Sequence, residues 1–157
     1  MTKKLFSLIL LLVFMTVGLC SCDLLFGGVD EEGKITVVVE NTDGSYQVFE
    51  ATLDAVENKE EGAKGVLEHL NQGKDGLYLE MTDSTYGAYV SAVGNIRENP
   101  SEGLYVMVYT SLSSDSYEGA PTLNYNSTTL YQAGVGLSGM TVEAGGIILL
   151  RLEDSPY

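Results

Sequence analysis

The chain is 157 residues long, enough for one ordinary domain, and carries 22 Asp and Glu against 8 Lys and Arg, a formal charge of −14. That balance repels phosphate, so nucleic acid is not expected as a partner and anionic headgroups are poor ones. With hydrophobic residues at 45% and charged residues at 19% the chain is too apolar for wholesale disorder, and its 18 Gly and 10 Tyr lean towards β structure.

The N-terminus reads as an address. Lys3 and Lys4 form a short basic region. Residues 5–19 are apolar except for Ser7, Thr16 and Gly18. That length suits a signal-peptide core better than a membrane span. The run ends in Leu19-Cys20-Ser21-Cys22. A bacterial lipoprotein signal has an aliphatic residue three positions before its cysteine and a small residue just before it. Leu19 and Ser21 supply both for Cys22. The expectation is a signal peptide over 1–21, lipid on the Cys22 sulfur, and a tether over 22–33. The protein would then stand outside the cytoplasm, anchored to the membrane by that lipid. A plain secretory signal or an anchor helix is the alternative. Cleavage before Cys22 removes Lys3, Lys4 and Cys20 and no acid. The one remaining cysteine would carry lipid, which leaves no disulfide, thiolate nucleophile or cysteine metal site.

Residues 34–39 (KITVVV) and 46–53 (YQVFEATL) predict two strands joined by a turn at Asp43-Gly44. Phe49, Ala51 and Leu53 share one face of the second. Residues 57–61 (ENKEE) suit a helix start. Over 62–72, Val66, Leu67 and Leu70 form one stripe with Ala63 a turn earlier, which predicts a short amphipathic helix. Gly65 weakens it and Gly73 would cap it. Beyond Leu77 the pattern is β throughout. Residues 86–93 are strand-like, and 95–102 (NIRENPSE) reads as a polar loop. Residues 104–112 (LYVMVYTSL) are apolar on both faces, which predicts a central strand. Residues 123–125 and 128–131 could pair across Asn126-Ser127, and 147–152 (IILLRL) is the last strand. The sum is one α+β domain over 34–154, β-grasp-like, with one short helix packed on mostly antiparallel strands.

A family resemblance rests on four stretches in order. They are 83–93 (DSTYGAYVSAV), the aromatic strand 104–110 (LYVMVYT), 130–135 (LYQAGV) and 142–152 (VEAGGIILLRL). Their order and spacing resemble the C-terminal β domain of transcobalamin and intrinsic factor, which bacterial surface lipoproteins carry in a stand-alone form of unknown function. The chain departs from that pattern at Val106, where the family has Trp, and at Ala144-Gly145-Gly146, where it has an acidic turn. The resemblance implies a corrinoid such as cobalamin as first ligand candidate. By its Gly-x-Tyr element and aromatic strand it points to Tyr89, Tyr105, Tyr109, Tyr131 and Gln132 as ligand-binding residues.

Other chemistry is thinner. Residues 134–139 spell G-x-G-x-x-G, yet a dinucleotide cradle needs a helix after it, and turn and strand follow here. His69 stands alone beside Glu68. Without a second His or a usable Cys, neither a Ser-His-Asp set nor a zinc site can be built from the usual parts. The reading is therefore non-enzymatic. Acidic clusters at 30–32, at Glu57, Glu60 and Glu61, and at Asp115 and Glu118 offer oxygens for Ca²⁺, without EF-hand spacing. Three functions stay open: a lipid-anchored ligand-binding module, a surface protein–protein interaction or structural module docking by an edge strand, and a Ca²⁺-binding surface domain. Tyr105, Met107 and Tyr109 share one face of their strand. One face must pack on the helix, and the other is either a ligand platform or a second packed layer.

Overall fold

A computed structural model describes residues 33–73 and 76–154. The expected signal peptide, Cys22 and nearly all of the expected tether lie outside them. Strands β1 (Lys34–Glu40) and β2 (Tyr46–Thr52) form the expected antiparallel hairpin. Its turn is built by Asp43, whose Oδ1 accepts the Ser45 N–H at 2.9 Å, and by Gly44 at φ +80°. Two 3₁₀ turns lead into α1 (Gly62–Asn71), which buries Ala63, Val66 and Leu67 as the stripe predicts. Gly65 has a positive role. A Cβ there would lie 2.7 Å from the Asn58 carbonyl carbon, so glycine lets the helix pack against the chain that leads into it.

Strands β3 (Leu79–Ser84), β4 (Gly87–Val93) and β5 (Ile96–Arg97) make a small antiparallel sheet. Strands β6 (Leu104–Thr110), β7 (Thr122–Tyr125), β8 (Thr128–Gln132) and β9 (Ile147–Asp154) join the first hairpin in a second sheet. Its order is β2-β1-β9-β6-β8-β7. In this sheet β1 and β9 pair in parallel and the other neighbours pair antiparallel. First hairpin, helix, and a last strand laid parallel beside the first is the β-grasp arrangement. β7 and β8 pair across Asn126 and Ser127, both at positive φ (46° and 66°), as a two-residue hairpin turn requires.

The β1–β9 pair is buried on both faces, which explains its unbroken Val, Ile and Leu runs. On one face Ile35, Val37, Val39, Ile148 and Leu150 pack beneath α1 and the small sheet. On the other, Val38 and Leu149 meet Tyr109 and Leu130. Among the described residues no second layer covers that face. Instead the large sheet curls until its two edge strands meet, with the Tyr46 and Tyr125 rings edge-on at 5.2 Å and 74°. β5 lies inside the stretch expected to be a polar loop. Ile96 is its buried anchor, and the polar residues around it hid the strand.

Candidate functional site: a groove beside β6

A groove of about 380 Å³ opens between β4, β6 and the chain that leaves β8. Ala88, Tyr89 and Val90 form one wall and Tyr105, Val106, Met107 and Val108 the other. Gln132, Ala133 and 135–137 close the end. Past Tyr89 it continues into a second recess of about 400 Å³, bordered by Thr82, Ser84 and Tyr86 of the β3–β4 hairpin. Each recess falls within the roughly 300–1,000 Å³ common for small-molecule sites.

The G-x-G-x-x-G run builds this groove by close approach. Residues 134–136 lead into a 3₁₀ turn, Leu137–Gly139, and on to β9, so no helix follows to cradle a dinucleotide. A Cβ on Gly136 would stand 2.9 Å from the Gly87 Cα and 3.1 Å from the Tyr86 carbonyl carbon. A Cβ on Gly134 would reach the Tyr117 ring at 3.0 Å. The two main chains therefore touch where hairpin meets loop. The Ala88 N–H donates to Ser138 Oγ at 3.3 Å and pins β4 in place. Asp115 secures the far side: its carboxylate accepts the Thr141 N–H at 2.7 Å and the Thr141 hydroxyl at 3.0 Å. Asp115 was a candidate Ca²⁺ ligand. It is buried with both oxygens engaged, and among the described residues no group of three or more His, Cys, Asp or Glu is placed to hold a metal ion.

Three of the five expected ligand residues meet here: Tyr89, Tyr105 and Gln132. Tyr89 is 40% exposed on its wall. Gln132 is held in place, its Nε2 donating to Met107 Sδ at 3.3 Å and its Oε1 accepting from the Tyr117 hydroxyl at 3.0 Å. The other two do not line the groove. Tyr109 is buried in the second core because the curled sheet covers it. Its hydroxyl donates to Glu153 at 3.0 Å, and burial, then this bond, push its pKa up to about 12. Tyr131 sits within the ladder, opposite Thr110 of β6 and Thr122 of β7. The aliphatic lining, Ala88, Val90, Val108 and Val135, carried no signal in the sequence to separate it from core.

Charge defines what the groove can take. No charged side chain lines either recess. Every Lys and Arg among the described residues is already in an ion pair. Lys34 pairs with Glu50, Lys59 with Asp54, Lys64 with Glu61 and Asp83, and Arg97 with Glu80. Arg151 bridges Glu40 at 3.2 Å and Glu153 at 3.0 Å. An anionic ligand would meet surplus carboxylate and no unpaired cation among these residues. The first recess also holds no Ser, Cys, His or carboxylate.

Comparison with known proteins bears on the fold. No family model matches the chain, and no curated protein matches it in sequence. Among solved structures, it is similar to a proposed metal-binding protein from Ruminococcus gnavus ATCC 29149, with TM-score 0.53 and 19% identity over 78% of this chain and 98% of that one. It is also similar to haptocorrin in complex with cobinamide, with TM-score 0.52 and 10% identity over 78% of this chain. The match spans a quarter of haptocorrin's length (25%). The protein has a transcobalamin C-terminal-like α+β fold.

Proposed function

We propose that this protein is a non-enzymatic binding module, held outside the cytoplasm by lipid on Cys22, whose groove takes a ligand with a broad apolar face that is uncharged or cationic overall. The neutral, tyrosine-walled groove beside β6 carries the reading. Tyr89 and Tyr105 line it with broad apolar faces, which suits a flat ring system. A corrinoid is the first candidate. The fold shared with haptocorrin, a protein solved with cobinamide, supports that choice. Calorimetric titration with cobinamide tests it. Saturable binding at micromolar or tighter is expected, weakened about tenfold or more in Tyr105→Ala. Absence of heat, or a Tyr105→Ala variant with unchanged affinity, overturns it. Loss of incorporated fatty acid in Cys22→Ser checks the anchor.

A further inference from the structure

The main chain of β6 presents an unused hydrogen-bonding edge to the groove. The Ser111 N–H donates to the Ile147 carbonyl at 3.0 Å, which sets the phase of the β6–β9 ladder. In an antiparallel pair the hydrogen-bonded residues alternate. Tyr105, Met107 and Tyr109 therefore bond to β9, and the N–H and C=O of Leu104, Val106, Val108 and Thr110 point the other way. On that side Thr110 faces Tyr131 of β8, and the Val108 carbonyl accepts the Ala133 N–H at 2.9 Å. Leu104 exchanges bonds with Asn99 at 3.1 and 2.9 Å. β8 leaves the ladder at Ala133, and the place it vacates is the groove. Val106 remains there, with no main-chain partner among the described residues.

We propose that the Val106 N–H and C=O are the polar recognition element of the groove, and that its ligand carries an amide group that pairs with both. This rests on the ligand-binding reading above and names the chemistry of the ligand. A primary carboxamide supplies one acceptor and one donor side by side, and so does one residue of an extended peptide through its own N–H and C=O. A carboxylate would set its lone pairs against the Val106 carbonyl with no unpaired cation in the lining, and an ammonium would leave the Val106 N–H unmatched. The Gln132 side chain, the other amide in the lining, is already held by Tyr117 and Met107. The room is short. Asn99 blocks one end and Ala133 the other, so a guest chain has about three residues, or roughly 10 Å, of free edge.

An amide can come from the rim of a small molecule or from a peptide, and three probes separate the sources. The full protein is titrated with cobinamide, whose ring carries carboxamides, and with cobyrinic acid, in which these are carboxylic acids. N-acetyl-trialanine amide is the peptide probe. Hydrogen exchange at the Val106 amide is followed by NMR with and without each. The expected result is cobinamide binding, at least tenfold weaker binding of the acid, and slowing of Val106 exchange by about tenfold or more. Cobinamide binding with equal affinity for the acid, or with Val106 exchange unchanged, overturns the amide contact and leaves the ligand-binding reading standing. Binding of the peptide alone, with Val106 slowed, upholds the contact and removes the corrinoid. Binding of none of the three overturns both.

Discussion

Tyr109 links the second core to pH in a way that can be measured. Its hydroxyl lies 3.0 and 3.1 Å from the two Glu153 oxygens, at the end of the chain Glu40–Arg151–Glu153. Burial first, and then the carboxylate, hold the phenol protonated and raise its pKa from 10.0 to about 12. The folded state thus keeps a proton that the unfolded state has lost above pH 10. Stability from this group is full below pH 10 and falls as pH rises towards 12. At about 1.36 kcal/mol per pH unit the loss reaches roughly 2–3 kcal/mol. Separately, a hydrogen bond to a charged acceptor is worth about 1.5–3 kcal/mol. Tyr109→Phe should therefore cost roughly 1.5–3 kcal/mol at neutral pH. The gap between wild type and variant should close across pH 10–12. Urea unfolding from pH 8 to 12 reads both curves, and the other tyrosines cancel in the difference. Parallel curves would refute the reasoning.

Other substitutions follow from the packing. Leu150, fully buried between β1 and β6, should cost about 2–5 kcal/mol as Leu150→Ala in denaturant unfolding; a loss under 1 kcal/mol would contradict its place in the core. Gly136→Ala drives a methyl group into the main chain at Tyr86 and Gly87, which cannot turn aside as a side chain could. A loss of about 1–3 kcal/mol in thermal unfolding is expected, and an unchanged Tm would show that hairpin and loop do not touch. Asp115→Asn removes the charge that holds the Thr141 N–H, for about 1.5–3 kcal/mol, and added Ca²⁺ should leave the wild-type Tm unmoved; a calcium-dependent rise would restore the metal reading.

The fold was legible where periodicity and turn chemistry agree. The Asp43-Gly44 turn, the Ala63–Val66–Leu67 stripe and the two-sided apolar runs of β1, β6 and β9 each report a local demand that the tertiary structure keeps. β5 was not legible, because a two-residue strand has no periodicity and its buried anchor, Ile96, sits among polar neighbours. Part of the site was visible as Tyr89 and Tyr105 on two strands and Gln132 at the end of a third. The alternation of β6 put Tyr105 and Tyr109 on one face, but the face divides along its length. The curl that brings Tyr46 to Tyr125 seals Tyr109 and leaves Tyr105 at the groove. Curl is a property of the whole sheet and leaves no local mark. The glycines of 134–139 were conspicuous, yet their purpose depends on what lies opposite, which is the Tyr86–Gly87 main chain.

The most direct test of the groove as the binding site is an NMR titration of the isotope-labelled protein with cobinamide. Shifts should move first and most at Tyr89, Tyr105, Val106, Gln132 and Val135, while Tyr109, Tyr131 and the α1 stripe stay in place. Unmoved spectra, or shifts centred on the Tyr109 face, would contradict the account.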